Sequence, residues 1–511
     1  RVQELIRKLT HRHVIDPLAP DVLDLWDKCR QQGLKLLPDW GAWQYIDLPD
    51  LGSLKQLEAL MRAQEHDNKW KQRASRISAW KERFQEDWRG SRRMAYEFAR
   101  GGKPLRPPVL ERPNGSLTGC LQEMEKMLTE AWEPTFCMYA NMPPPSVTDF
   151  VDRYGAHIPA RHGLAQTLIT VEDIKDALKR MSADTAFGAE GWRRDELLRL
   201  PENILALLAE LYEMIERTGS GPQAVSLGVI SMLPKGAGLR PGKLRPITVM
   251  SLIYRTWAAI RVRELMNWQD QWIHKAAVGF RRLMGCDDVF WVTAAKVEAA
   301  LLSGEPLCGA SLDFAKAFDR VPREIVFHIA EATGMPPGTL GALKGMYCQS
   351  VRRFRMPGDF VTEEFGGTNG VLQGCPISVI LMNMLMHIWC SVVEHETEAS
   401  PSCFADDASA VCPTVQGVKQ VLEATAEFCQ FTGMQLHIDK SNTWATTRRQ
   451  RAKLRKLTVA GQTPEVVETQ RNLGAQLNFT RANKGRPDVA KRSIEAVQVC
   501  ERIQGVPLGT M

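Results

Sequence analysis

The chain has 511 residues, of which 44% are hydrophobic and 24% are charged. This composition is ordinary for globular proteins, so it excludes disorder, collagen or coiled coil as the main architecture, and the length suffices for about two to four domains. Lys and Arg number 65 against 59 Asp and Glu, a formal net charge of +6. A preference for a charged partner must therefore come from local clusters rather than from the whole chain.

The cysteines favour a reduced intracellular protein. All twelve are scattered between Cys29 and Cys500 without a C-x-x-C pair, and the ten histidines form no group with them. A disulfide framework and a structural zinc site are therefore not expected. The first segment, which starts at Arg1, has no apolar signal core, so we do not expect secretion.

One apolar stretch, Pro376 to Val393, approaches the length of a membrane span. It contains Ser378, Asn383 and His387, and it opens with proline at a plausible first helical turn. We therefore predict a core helix that is buried on most sides, with His387 as a hydrogen-bonded core residue, and no association with a membrane.

Residues 1–165 consist of helix-length periodic segments interrupted by proline clusters, which predicts a helical basic extension with linkers. Residues 69–112 hold thirteen Lys or Arg and five Asp or Glu, with tryptophans between them. Basic groups and aromatic faces together suit nucleic acid, whereas an amphipathic helix with solvated arginines and core tryptophans explains the same pattern. The nucleic-acid interpretation assigns contacts to Lys69, Arg73, Arg92 and Arg93.

A compact domain is predicted to begin near residue 168, where Thr170 and Asp173 have the spacing of a capping box before an apolar run. Farther along, residues 234–246 form a loop rich in glycine and proline that carries four cations, among them Lys235 and Arg245. Close backbone approach and positive charge make this loop a candidate polyphosphate contact, although its spacing is not that of a Walker loop.

Two segments place acids beside buried strands. Residues 308–314 read as a strand that ends at Asp313, and residues 402–411 read as two short apolar strands with Asp406 and Asp407 at the turn. Adjacent carboxylates in apolar surroundings repel each other unless a cation neutralises them, which indicates a metal site. An exposed hairpin turn with two aspartates is the alternative explanation and needs no metal.

Taken in chain order, these pieces resemble the reverse transcriptases of non-LTR (LINE-type) retrotransposons over about residues 168–500. Residues 312–319, Leu-Asp-Phe-Ala-Lys-Ala-Phe-Asp, are similar to the first palm motif of that family, and residues 404–407, Phe-Ala-Asp-Asp, to its catalytic hairpin. Residues 369–378 are similar to the family's G-x-x-Q-G-x-P-x-S motif. Three shorter segments match a fingers R-P-I (245–247), a G-F-R ahead of the palm (279–281) and a primer-grip turn (472–474).

The resemblance implies an α+β right-hand polymerase with a palm of antiparallel sheet and a catalytic hairpin. In that frame we expect the helical extension at 1–165, fingers at 166–265, the palm at 266–480 and the incomplete start of a thumb at 481–511. It also implies the partners: an RNA template, a DNA or RNA primer and dNTPs, handled in the nucleus and the cytoplasm. The sequence carries no signature of an oligomeric state.

The resemblance further implies a two-metal nucleotidyl transfer with Mg²⁺, for which Mn²⁺ substitutes. Asp313 and Asp406 would bridge the two ions, with Asp407 as a neighbouring support and the backbone carbonyl of Phe314 as a further ligand. Lys440 resembles the lysine that protonates the leaving pyrophosphate in polymerases.

The incoming nucleotide would be held by four further positions. Lys235 and Arg245 would bind the triphosphate, since fixed cations stabilise a transferring phosphoryl group. Gln373 and Gly374 would lie at the nascent base pair, or alternatively form an ordinary turn at a helix start. Phe318 would exclude a ribose 2′-hydroxyl and so select deoxynucleotides. Asp319 is expected to be structural.

Beyond the palm, residues 448–456 are rich in cations, and Arg448, Arg449, Arg451 and Lys453 are candidate contacts to a template or primer backbone. A solvated helix face or a nuclear-import signal explains the run equally well.

One departure from the family pattern is Glu190, which stands where the family usually has aspartate in G-x-D-G. Two rival functions stay open. An RNA-dependent RNA polymerase shares the palm chemistry, and an inactive RNA-binding relic of a reverse transcriptase retains the same aspartates.

Overall fold

The computed structural model describes residues 109–481, except 236–237, 357–360 and 460, together with isolated positions between 24 and 82 and between 490 and 501. The chain divides into two compact units, one of residues 1–103 with 493–511 and one of residues 104–492. Every described position between 24 and 82 is helical. Lys69, Arg73, Arg92, Arg93 and most of the predicted thumb lie outside the described residues.

Fourteen helices and twelve strands are assigned within residues 110–478 of the second unit. The helices are α1 (Leu121–Phe136), α2 (Val147–Tyr154), α3 (Val171–Arg180), α4 (Arg194–Leu198), α5 (Glu202–Thr218), α6 (Gln223–Ser226), α7 (Leu252–Gln269), α8 (Cys286–Ser303), α9 (Ala317–Arg320), α10 (Arg323–Thr333), α11 (Pro337–Gln349), α12 (Ser378–Glu396), α13 (Val415–Thr432) and α14 (Arg448–Leu454). The strands are β1 (Leu110–Glu111), β2 (Leu117–Thr118), β3 (Leu227–Pro234), β4 (Leu244–Met250), β5 (Cys308–Asp313), β6 (Val351–Arg355), β7 (Ser400–Phe404), β8 (Asp407–Cys412), β9 (Asn442–Ala445), β10 (Glu465–Val467), β11 (Thr469–Asn472) and β12 (Ala475–Asn478).

The larger sheet has five strands in the order β10-β9-β5-β8-β7. Strand β5 lies at its centre and pairs antiparallel with both β8 and β9. The hairpin β7–β8 is antiparallel as well, which confirms the predicted turn between two short apolar strands. The burial of β5 agrees with its central position, because both of its edges are hydrogen-bonded and helix α13 packs against it.

A second sheet carries the basic loop. Its order is β4-β3-β6, with β3 and β4 antiparallel and β3 and β6 parallel. The loop of residues 235–243 joins β3 to β4, and Arg245 stands opposite Leu233 near the loop end of this ladder. Lys235, at the start of the loop, and Arg245, the second residue of β4, therefore lie at the same end of one hairpin.

Helix α12 forms the centre of the main apolar core. All of its residues from Ile380 to Val393 are buried, so the predicted core helix is confirmed. The described residues include no helix with the length and apolar character that a membrane span needs. The capping box is confirmed too: the Thr170 hydroxyl accepts from the backbone N–H of Asp173, whose carboxylate accepts from the backbone N–H of Thr170.

Residues 109–165 lie in the same compact unit as the two sheets, and our predicted division at residue 165 stays a prediction. Helix α1 contributes Leu128, Trp132 and Phe136 to an apolar cluster shared with Ile230 of β3 and Phe354 of β6. The proline clusters that suggested a linker do not reveal this long-range packing, because the apolar face of α1 finds its partner about a hundred residues later.

His387 is a satisfied core histidine, as predicted. Its Nδ1 accepts from the backbone N–H of His274 at 2.8 Å, and the ring is also hydrogen-bonded to the backbone of His157. Burial, together with the neighbouring His274, lowers the pKa of His387 to about 4. The neutral ring is thus the form that the folded protein accommodates.

We expect stability to fall on acidification because the unfolded chain protonates His387 near pH 6.5 while the folded chain resists protonation down to about pH 4. The contribution is fully present above pH 6.5 and is lost as the pH falls toward 4, by up to about 3 kcal/mol. Urea unfolding at several pH values checks this.

In His387→Gln the decline over that window should be shallower, whereas His328→Gln, at a partly exposed histidine of α10, should decline as the wild type does. Parallel curves for the wild type and His387→Gln would contradict the assignment.

Candidate active site

Three carboxylates meet at one end of the central strands. In the ladder between β5 and β8, Asp313 is directly opposite Asp407, so their side chains emerge on the same face of the sheet. Asp406 occupies the hairpin turn just before, after Ala405, whose φ is +54°. In this register Asp407 is the cross-strand neighbour of Asp313, and Asp406 lies one residue earlier at the turn.

The carboxylates resist ionising together. Burial raises the pKa of Asp406 to about 6, with further contributions from Asp407 and Asp313. Burial and the charge of Asp313 raise the pKa of Asp407 in the same direction. The opposing influences come from Arg245 on Asp406 and from Lys235 on Asp407, so both predicted triphosphate ligands act electrostatically on these acids.

The donor set fits a divalent cation. Carboxylate oxygens are hard ligands, and a bound cation would offset both the burial and the repulsion that raise the pKa values of Asp406 and Asp407. Within the described part of the chain, no three His, Cys, Asp or Glu side chains are grouped closely enough to hold a metal ion by themselves.

Lys440 lies beside the first of these acids. Its Nζ is 3.6 Å from Oδ2 of Asp313. The backbone of Asp313 is held by the same segment, because its carbonyl accepts from the N–H of His437 and its N–H donates to the hydroxyl of Ser441. Phe314 is buried and its backbone forms a bridge with Leu436. Lys440 and the first acid are thus held beside each other by one segment of the chain.

The predicted nucleotide positions also converge. Nε2 of Gln373 donates to the carboxylate of Asp319 at 2.8 Å, and the carbonyl of Gln373 accepts from the N–H of Thr248, three residues after Arg245. The carbonyl of Phe318 accepts from the N–H of Val371. Gly374 has φ +118°, and a Cβ there would lie 2.5 Å from the Thr248 carbonyl oxygen, so glycine is required for this close approach.

The partner of Asp319 was missed from the sequence. Its carboxylate is buried against the Gln373 amide, and burial raises its pKa to about 7 against the lowering influence of Arg352 and Lys316. Fifty-four residues separate the two hydrogen-bonded side chains, and no local pattern links positions so far apart.

Residues 276–280 pack against the hairpin β7–β8, which has Asp406 at its turn. The N–H of Val278 donates to the carbonyl of Cys403, and the N–H of Cys403 donates to Ala276. The rings of Phe280 and Phe404 lie 5.6 Å apart. A Cβ on Gly279 would lie 2.2 Å from the backbone nitrogen of Ala405, so the G-F-R segment packs directly on the turn that carries Asp406.

The candidate primer-grip turn lies on the catalytic face. Strands β11 and β12 form an antiparallel hairpin, with Leu473 and Gly474 at positive φ in the turn. The hydroxyl of Ser311 donates to the side-chain oxygen of Gln470 at 3.0 Å. Because Ser311 and Asp313 are two residues apart on β5, they share a face, and the hairpin docks on that face.

The unusual Glu190 caps a helix. Its carboxylate accepts from the backbone N–H of Leu252 at the first turn of α7, where the hydroxyl of Ser251 also accepts from Tyr254. The extra methylene relative to aspartate is therefore accommodated at a helix N-terminus, where a carboxylate is favourable.

Only part of the basic run at residues 448–456 faces solvent. Arg448, Arg449 and Lys453 are exposed, whereas the guanidinium of Arg451 donates to the carbonyls of Ala445 and Thr446 and pairs with Glu468 at 3.6 Å. Arg451 thus ties α14 to the end of β9, which differs from its predicted contact with nucleic acid.

The run begins at the far end of the sheet. Ala445 pairs with Cys308, five residues from Asp313 along β5, a separation of about 17 Å at the usual strand rise of about 3.3 Å per residue.

Comparisons with known proteins agree with this geometry. Residues 233–475 match the family described as reverse transcriptase (RNA-dependent DNA polymerase). The chain is 26% identical over 299 residues to the Retrovirus-related Pol polyprotein from type-2 retrotransposable element R2DM of Drosophila melanogaster, covering 56% of this chain and 27% of that protein. It is 23% identical over 354 residues to the RNA-directed DNA polymerase from mobile element jockey of the same species, covering 67% and 37% respectively.

A third relative is the Retrovirus-related Pol polyprotein from type-1 retrotransposable element R2 of Bradysia coprophila, 25% identical over 283 residues that cover 54% of this chain and 32% of that protein. The chain therefore spans about a third of the length of the curated relatives it matches. A reverse transcriptase domain has the right-hand polymerase fold, and the observed mixture of helices and sheets agrees with it. Residues 233–475 therefore match the reverse transcriptase family, and the chain is similar to polymerase proteins of retrotransposable and mobile elements.

Proposed function

We propose that the chain is an RNA-directed DNA polymerase that extends the 3′-hydroxyl of a DNA or RNA primer with dNTPs along an RNA template, in the nucleus and the cytoplasm of its host. The observation that carries this proposal is the facing pair of Asp313 and Asp407 with Asp406 at the adjoining turn. Lys440 and the basic hairpin loop flank these acids. The family match and the relatives' names support it.

The three aspartates hold two Mg²⁺ ions in this proposal, and Mn²⁺ substitutes for them. When bound, such ions activate the primer hydroxyl and neutralise the charge on the leaving pyrophosphate. The backbone carbonyl of Phe314 is a further ligand of one ion. Lys440, already paired with Asp313, gives a proton to the pyrophosphate as it departs.

The remaining roles concern the nucleotide. Lys235 and Arg245 are exposed, and each acts electrostatically on one catalytic acid, which suits them to the charged triphosphate. Gln373 and Gly374 border the base, and Phe318 stands against the sugar.

For nucleic acid, Arg448, Arg449 and Lys453 supply exposed positive charge at the far end of the sheet from the acids. We assign them to the phosphate backbone of the template or primer outside the catalytic edge. The corresponding role of Lys69, Arg73, Arg92 and Arg93 stays a prediction from sequence.

Primer extension tests the proposal. The full chain, given Mg²⁺, an RNA template with a DNA primer and dNTPs, should extend the primer, and the Asp406→Asn, Asp407→Asn double variant should not, because it removes two of the three carboxylate charges. Asp439→Asn, at an exposed acid beside Lys440, is the matched control and should extend normally.

The outcomes separate the rival functions. Extension with ribonucleotides in preference to dNTPs would indicate an RNA-dependent RNA polymerase. If the chain binds template and primer but does not extend the primer with either Mg²⁺ or Mn²⁺, it is an inactive relic and the proposal is contradicted.

Phe318→Ala should admit ribonucleotides, because the ring that would clash with a 2′-hydroxyl is removed. We expect the ratio of kcat/KM for a dNTP to that for the matching ribonucleotide to fall at least about tenfold, or about 1.4 kcal/mol. Phe290→Ala, at a partly buried ring in a separate apolar cluster, serves as the control and should keep the wild-type ratio. If Phe318→Ala leaves the ratio of the two kcat/KM values unchanged, Phe318 does not select against the 2′-hydroxyl.

A further inference from the structure

Lys316 lies between the first catalytic acid and Phe318, in a backbone conformation that lysine rarely adopts. Its φ and ψ are +49° and +47°, in the left-handed region. Its carbonyl nevertheless accepts from the N–H groups of both Asp319 and Arg320, so it starts the short helix α9. A non-glycine residue persists there only when the surrounding structure holds it.

Helix α1 provides the contacts that hold this lysine. The Nζ of Lys316 donates to the hydroxyl of Thr135 at 2.8 Å and lies 4.1 Å from the centre of the Trp132 ring. Among the described residues no carboxylate forms an ion pair with Lys316. This partly buried ammonium group also feels the charge of Asp319, but its direct contacts are one hydroxyl and one aromatic face, which are directional.

The same helix contacts two other loops of the nucleotide site. The indole N–H of Trp132 donates to the carbonyl of Pro241, in the basic loop. The side-chain amide of Asn369 donates to the carbonyls of both Thr135 and Asp319 at 2.7 Å, four residues before Gln373. Three loops near the proposed nucleotide site, at Pro241, Lys316 and Asn369, are therefore hydrogen-bonded to one turn of α1.

From these contacts we propose that Lys316 is a positioning residue. Seated on Trp132 and Thr135, it holds the turn that carries Phe318 and Asp319, and through the hydrogen bond of Asp319 it fixes the Gln373 amide for the incoming dNTP. This inference rests on the proposed polymerase function. It extends the functional unit upstream of residue 233, where the family match begins, to helix α1 at residue 121.

We call the contacts of Lys316 with Trp132 and Thr135 the lysine seat. Steady-state primer extension by the full chain tests its role. Thr135→Val keeps the shape of the side chain and removes only its hydroxyl, and Lys316→Met removes the ammonium group. Both should raise KM for dNTPs about tenfold, equivalent to about 1.4 kcal/mol, with the affinity for primer and template unchanged. Thr135→Ser restores the hydroxyl and should restore KM.

Leu128→Ala is the matched structural control, since Leu128 is buried on α1 in the apolar cluster but belongs to no contact of the seat. It should lower the thermal midpoint without raising KM. An equal rise of KM in Leu128→Ala would mean that any loosening of α1 has this effect, and it would overturn the specific role of Lys316.

Hydrogen exchange gives a readout that does not depend on activity. Amides of residues 314–321 should exchange faster in Thr135→Val and Lys316→Met than in the wild type, Thr135→Ser or Leu128→Ala, because the seat holds the turn. Unchanged exchange and unchanged KM in both variants would overturn the inference. A wild-type chain that fails to extend a primer contradicts the polymerase function instead, and the exchange data still decide whether the seat exists.

Discussion

The pairing of β5 with β8 is the constraint on which the rest of the site depends. This register sets Asp313 opposite Asp407, and the turn before β8 adds Asp406. Burying carboxylates costs free energy, to which neighbouring like charges add, and here the cost appears as raised pKa values of Asp406 and Asp407. The fold tolerates the repulsion because two hydrogen-bonded neighbours fix β5 and because residues 276–280 hold the hairpin from its other side. Such a concentration of charge is useful only where a cation or a cationic substrate complex neutralises it.

The loops around this acidic edge depend on elements that are remote in the chain. The basic loop, the turn at Lys316 and the segment before Gln373 all hydrogen-bond to α1. Short polar contacts of this kind fix orientation, while the apolar cluster beneath α1 supplies most of the driving force for its docking. Nonspecific apolar packing thus contributes most of the stability of the docked helix. The hydrogen bonds are individually modest, but they are directional and set its orientation.

Several local features were predictable from the sequence because their causes are local. The capping box at Thr170, the apolar helix α12 and the strand-turn-strand at Asp406 and Asp407 each depend on residues within one or two turns of one another. The family motifs identified Asp313, Lys440, Gln373 and Phe318, and the structure brings the first two within 3.6 Å of each other. The proximity of Asp313 and Lys440 is therefore an observation of the structure and no longer depends on resemblance.

What the sequence by itself determined was the type of element at each motif, its approximate limits and the resemblance to a known family. The tertiary structure alone decided which strand faces Asp313, that Asp319 binds Gln373, that Arg451 turns inward and that helix α1 packs against β3 and β6. The physical reason is the range of the interactions. Helix caps and hairpin turns depend on neighbouring residues. Sheet register, buried hydrogen bonds and shared apolar clusters instead join positions tens to hundreds of residues apart. No local pattern in a single sequence predicts those pairings.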